Sequence, residues 1–312
     1  MNVNMYRVTD SGNDPSVSPA TWVVENDWGA IIDTTGTQTQ GLQEAINYAA
    51  EHGHDLRVHG GGIARKNGQD VAIIVCTVPI VIPPVQGVDW HIHASIVFGG
   101  TPYPVAIQFD SAMNSVFKIT GQIVCPPGWG CGVQIKPRNL LPNDTFAGRV
   151  VTACRFDISS VVLLGDLGTC IDLDATQGAI TGNMFRFLEP NRGSNGIRVK
   201  AGATTCFDHN DIVALEVHGQ TTGINSGCTA AGSALVYGNT WSVKIFPRGG
   251  SCGVELWSHH DRWIVSVGNR EGAVVCGITL NPTAHSNLID ILLNQAQLPV
   301  NNASPHFNDI RP

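Results

Sequence analysis

Along the C-terminal two thirds of the chain, apolar and polar residues alternate in short phrases that return. GVQI begins at 132, CIDL at 170, GIRV at 196, GINS at 223, GVEL at 253 and GITL at 277, at one interval of 38 residues and four of 24 to 30. A second series runs between them: NMFRF at 183, NDIVA at 210, NTWSV at 239, DRWIV at 261 and NLIDI at 287, with RFDIS, begun by Cys154, one turn earlier. In each copy the apolar residues stand two and four places after the leading residue, the period of a strand with one face inside. A repeat in the twenties is the mark of stacked coils. Two series held in phase predict at least two sheets per coil.

If each coil lies about 4.8 Å above the last, equivalent positions form vertical files. Ile171, Ile197, Ile224, Val254 and Ile278 then make one interior file. The residue between the apolar pair points outward, which aligns Gln134, Asp172, Arg198, Asn225, Glu255 and Thr279 on an exposed face. Asn183, Asn210, Asn239 and Asn287 make another file, where stacked amides satisfy one another and the turn backbone. The Gly or Cys preceding the interior file marks a corner where the chain bends tightly or fits into a small space. Cys252 and Cys276 become packing neighbours there.

Upstream the period changes. Leu42, Ala45, Ile46 and Ala49 fall at i, i+3, i+4 and i+7, and Gly53 supplies a stop, so this stretch predicts a helix. Residues 1–25, rich in Asn, Ser, Pro and Asp, show no sustained periodicity and read as an arm. The segments are an arm at 1–25, helix and first rungs at 26–100, the stacked body at 101–299 and a tail at 300–312.

Composition agrees with many short strands: 35 Gly, 17 Pro and only 14% charged residues. The formal charge of −7, with 18 scattered Lys and Arg, argues against a nucleic-acid partner. No apolar run reaches the roughly 18 residues that membrane insertion requires. MNVNMYRVTDSGNDPSVSP lacks the basic start and apolar core of a signal peptide. Nine cysteines without a CxxC pair predict buried, reduced thiols.

The stretch NDWGAIIDTTGTQTQGLQEAINYAAEHGHDLRVHGGG, followed by GI-x-[VL] and N-x-h-x-h phrases, resembles the right-handed parallel β-helices of the pectate-lyase-like group, and in character phage tailspikes and related virion proteins. The resemblance covers residues 26 to about 295 and rests on architectural motifs. The chain departs from it at Gly60-Gly61-Gly62, which runs into a charged loop from Arg65 to Asp70. The implied fold is all-β, a single-stranded right-handed parallel β-helix with a short N-terminal capping α-helix. The implied function is a virion-associated spike or capsid decoration, made in the host cytoplasm and borne on the particle surface. It would be a homotrimer, held to other virion proteins through residues 1–25, with side walls facing host surface polysaccharide. Outward apolar residues such as Val213 and Ile264 suit its lateral contacts. The alternative is a polysaccharide lyase or hydrolase of the same fold, and the plainest reading is a decoration that binds no sugar.

Candidate chemistry follows from the outward files. Asp172 and Arg198 sit one coil apart, with Asp174 two places along; a carboxylate pair and a cation are the minimum for acid–base work on a glycosidic bond. Were the chain an enzyme, Asp172, Asp174, Arg198, Asp208 and Glu255 are its candidates. As a binder it would use Gln134, Arg198, Asn225, Glu255, Trp257 and His259. Glu189, Arg192, Asp208, His209 and Asp211 form a further acidic set beside the turns. His91 and His93 share a strand face, and His52, His54 and His59 flank the first turn. None of these gathers the third and fourth ligands of a metal site, so no metal is expected. His259 and His260 point to opposite sides if they are in a strand; alternatively they are turn residues, with one nearby tryptophan interior. No phosphate loop, nucleophile elbow or catalytic-cysteine motif is present, and no cofactor is expected.

Overall fold

The computed structural model describes residues 2–8, 21–26, 31–32, 36–59, 65–66, 69–70, 73–141, 148–227, 235–247, 252–269 and 273–311. These form a parallel β-helix with one α-helix at its start. One coil shows the plan. Met184–Arg192 lies in the first sheet, Asn195–Ala201 in the second and Phe207–Asp208 in the third; the chain then returns at Asp211, beside Met184. Within the body each strand pairs in parallel with its equivalent one coil on.

The third sheet is absent from the two-series reading of the sequence. Its strands, such as Ala112–Met113, Phe207–Asp208 and Val236–Tyr237, are two or three residues long, too short to show a period of two. They lead into a corner of fixed design. Asn114, Ala153, Gly182, His209, Gly238, His260 and Ser286 all take left-handed φ, between 50° and 68°. Each is followed by a residue that turns inward: Ser115, Cys154, Asn183, Asn210, Asn239, Asp261 and Asn287, all buried.

There the stacked amides form as expected. The backbone N–H and Nδ2 of Asn183 both donate to Asn210 Oδ1 at 3.0 Å, and Asn210 makes the same pair with Asn239 at 3.1 Å. Remaining amide protons reach backbone carbonyls, so the tight turn leaves few polar groups unmet. Asp261 interrupts the amides as a carboxylate.

The interior file of Ile171, Ile197, Ile224, Val254 and Ile278 is in register and inaccessible to solvent. Opposite it, Phe117 stacks on Phe156 and Phe156 on Phe185, at 5.0 and 5.2 Å, and Trp241 on Trp263 at 4.5 Å. Full burial of each such side chain stabilises by about 1.5–3 kcal/mol. The glycines of the GIxL phrases sit where the second sheet packs on the first. A Cβ on Gly223 would collide with Ile245 Cγ2 and stand 2.6 Å from the carbonyl oxygen of Gly253. Of the two reasons read from the sequence, a tight bend or a small space, the small space sets this residue: Gly223 has no positive φ.

The helix, Leu42–His52, buries Leu42, Ala45, Ile46 and Ala49 and ends at Gly53 (φ 61°), as its pattern predicts. Polar side chains of the helix and of the turn before it close sheet edges. Gln43 accepts from the N–H of Val81 and donates to its C=O, both at 2.7 Å, so one amide pairs the edge strand Ile80–Ile82. Gln40 Oε1 accepts from the N–H of Val75 at 2.8 Å on another edge. Such edges otherwise invite another chain to pair.

Two segments of the expected arm are strands. Asn2–Val8 pairs in parallel with Asp55–Val58 and antiparallel with Thr21–Asn26, and Val3, Met5 and Val24 enter the core. Alternation of Val3 and Met5 is too brief to show as a period. Residues 9–20 and the Gly60-Gly61-Gly62 turn lie outside the described residues; of the charged loop, Arg65–Lys66 pairs with Gln69–Asp70.

Candidate functional site

The outward file of the second sheet stands in register: Gln134 beside Asp172, Asp172 beside Arg198, then Asn225, Glu255 and Thr279. Asp172 and Arg198 form the foreseen pair, Nε to Oδ1 at 2.9 Å. Its exposure, however, differs from expectation. Asp172 is 0% and Asp174 3% accessible, because neighbouring long side chains fold over them. Asp172 accepts from Gln134 Nε2 at 2.9 Å and Lys200 Nζ at 3.1 Å besides Arg198. Asp174 accepts from Lys136 Nζ at 2.9 Å and the Thr176 N–H at 3.0 Å. Burial pushes the Asp174 carboxyl up, but bonds from Thr176 and Lys136 outweigh it and hold the group below its ordinary value.

This arrangement suits structure better than catalysis. Three cations, Lys136, Arg198 and Lys200, surround two carboxylates whose oxygens are already engaged. Asp174 is held below the usual carboxylate range and the oxygens of both groups are occupied by donors, so neither presents a free acid to a substrate. Glu255, three coils along the same file, is held by Asn225 Nδ2 at 2.8 Å and Thr222 Oγ1 at 3.3 Å. Asp208 lies on the third sheet, with His209 Nδ1 at 3.2 Å, apart from the others. The five catalytic candidates therefore do not converge.

Other candidates also separate. Glu189 binds Asn191 Nδ2 at 2.9 Å near the far end of the long strand Met184–Arg192, whereas Asp208, His209 and Asp211 surround the corner that precedes its neighbour. They do not share one groove. Trp257 is half-buried beside the second sheet, and Trp263 is interior. His259 belongs to the third-sheet corner rather than the wall. Buried thiols at Cys76, Cys125 and Cys154 are pushed up to about 12, which disfavours the nucleophilic thiolate. Of the eight described cysteines six are buried, while Cys206 and Cys252 are half-buried, and Cys252 and Cys276 are direct neighbours across the sheet.

A groove that the sequence reading missed lies on the first sheet. Its long strands bend: pairing of Val116–Cys125 with Arg155–Leu163 shifts register between Ile119 and Gln122. In the bend is a cleft of about 410 Å³ lined by Lys118, Asp157, Arg186, Leu188, Val213 and Leu215, among others. Lys118, Asp157, Arg186 and Val213 are one outward file. Asp157 is already paired, with Arg155 Nη2 at 2.6 Å on its own strand. Exposed Leu188 and Leu215 form an apolar floor next to the Lys118 and Arg186 cations. The sequence does carry a trace of the bend: alternation slips there, from Phe156 and Ile158 to Val161 and Leu163, beyond the end of the five-residue phrases from which the repeat was read.

No protein-family model, curated protein or solved structure matches the chain. The site thus rests on its own geometry.

Proposed function

We propose that this protein is a β-helical attachment protein without catalytic activity, which binds an acidic polysaccharide in the bent-sheet groove. The observation that supports it best is the contrast between two surfaces. On the wall, the carboxylates are consumed by cations; in the groove, Lys118 and Arg186 flank an open cleft with apolar side chains. Cations with an apolar floor suit the carboxylates and ring faces of a uronate chain. The parallel β-helix and the cap-and-coil phrases, which resemble those of phage tailspikes, favour a virion setting: a spike or capsid decoration on the particle surface. In that setting the chain is a homotrimer whose first 25 residues contact other virion proteins.

The test is to measure binding of the full chain to polygalacturonate and to a neutral glucan, while following reducing ends and unsaturated-uronate absorbance. The reading predicts binding to the acidic polymer alone, no product, and at least about a tenfold loss with Lys118→Glu or Arg186→Glu. Binding unchanged in both variants would contradict it. Product that disappears in Asp172→Ala or Glu255→Ala would replace it with the depolymerase reading.

A further inference from the structure

The corner before the amide ladder carries a second file, two residues ahead of each ladder position: Tyr237, His259, His285 and His306. Tyr237 stacks on His259 at 5.4 Å and 14°, and His259 on His285 at 4.6 Å and 10°; His306 lies 5.5 Å from His285. His260 joins them because its left-handed backbone, φ 55°, breaks the alternation that would send neighbouring side chains to opposite faces. Its Nδ1 stands 2.7 Å from Nδ1 of His259. One ring nitrogen from each of His259, His260 and His285 lies within 4.8 Å of the others.

We propose that His259, His260 and His285 bind a zinc-class transition-metal dication. Zinc bound to imidazole at 2.0–2.1 Å in a tetrahedron needs ligating nitrogens about 3.4 Å apart. His259 and His260 stand 2.7 Å apart at their Nδ1 atoms and one nitrogen of each of the three rings lies within 4.8 Å of the others, so small rotations of these surface rings reach that value. A set of imidazoles alone favours Zn²⁺, Ni²⁺ or Cu²⁺ over Ca²⁺ or Mg²⁺, which demand oxygen. His285 Nδ1 lies 3.2 Å from Ser286 Oγ, a partner of the kind that orients ligating imidazoles. Water or His306 supplies the fourth ligand. Elsewhere His91 pairs with His93 and His52 with His54, but among the described residues neither pair belongs to a set of three ligands close enough to share an ion. Because His259 and His260 belong to one coil and His285 to the next, the ion would fasten two coils at their corner.

The test is to titrate chelator-treated full-length protein with ZnCl₂ at pH 7.5 and, separately, with CoCl₂ while recording visible absorption. One Zn²⁺ per chain, cobalt bands of four-coordinate intensity and a higher melting temperature are expected. His285→Ala, or His285→Gln should alanine unfold the chain, lowers affinity at least about tenfold, and His91→Ala/His93→Ala leaves it unchanged. The proposal is overturned if the unmodified chain takes up no zinc, if both His285 variants that fold bind as tightly as it does, or if affinity follows His91 and His93.

Discussion

Asp261 accepts both the backbone N–H of Asn239, at 2.7 Å, and its Nδ2, at 3.1 Å, so a carboxylate fills a place in a ladder otherwise built of amides. Burial pushes this carboxyl up from 3.8 to about 6, despite hydrogen bonds with Ser258 and Asn239. The folded state therefore holds its proton more tightly than the unfolded chain does. The resulting stabilisation is complete below pH 3.8 and is lost as pH rises through about 6. At about 1.4 kcal/mol per unit, the difference amounts to roughly 3 kcal/mol. Asp261→Asn restores the amide series, so it should raise stability at pH 7.5 by about 1–3 kcal/mol and flatten this part of the pH profile. Urea unfolding at pH 5.0 and 7.5 checks both; an equal or lower stability of the variant at pH 7.5 counts against the assignment.

Gly223 is the tightest test of the contact between sheets. A methyl there meets Ile245 Cγ2 on one side and the Gly253 carbonyl on the other, with no flexible chain end to yield. Gly223→Ala is expected to destabilise by about 1–3 kcal/mol, as overpacking does, whereas Gly53→Ala, which meets only left-handed strain, should cost about 1 kcal/mol. Denaturant midpoints give the comparison. A Gly223→Ala variant as stable as the parent would mean that the second sheet stands further from the first.

Asp172 separates structural from catalytic roles on the wall. Removing its carboxylate leaves Arg198 and Lys200 facing each other without their shared anion. Asp172→Ala should lose about 3–5 kcal/mol of stability, while Asp172→Asn, which keeps one acceptor oxygen, loses less. Polysaccharide affinity per folded molecule should not change. A selective loss of binding or turnover with stability intact would return Asp172 to the functional site.

Much of the fold was legible because a coil writes its geometry as repetition. The interior file from Ile171 to Ile278, the register of Gln134 to Thr279 and the stacked asparagines all follow from spacing, and the helix from one period of 3.6. What spacing does not report is what a long side chain does next. Asp172 was placed correctly yet is buried, because Lys200, two residues after Arg198 on the same face, reaches back to it. The third sheet went unseen since two-residue strands carry no period. With it went the histidine corner: His285 joins His259 only when both are counted back two places from Asn287 and Asp261. That offset was visible in AHSN at 284–287 only by analogy with SHHD at 258–261, and the left-handed turn that makes it matter is not written in either.

Arg155, Met184, Asp211, Thr240, Arg262, Leu288 and Asp309 form one outward file, each residue one coil from the next. Spin labels on genetically encoded ketone residues, which leave native thiols untouched, measure that spacing directly by pulsed electron–electron resonance. Four coils separate Arg155 from Arg262 and six separate it from Asp309, so the account predicts distances near 19 and 29 Å, rising by about 4.8 Å per coil. Distances that do not grow in proportion to the number of coils would contradict the stacked register on which the wall, the groove and the histidine corner all depend.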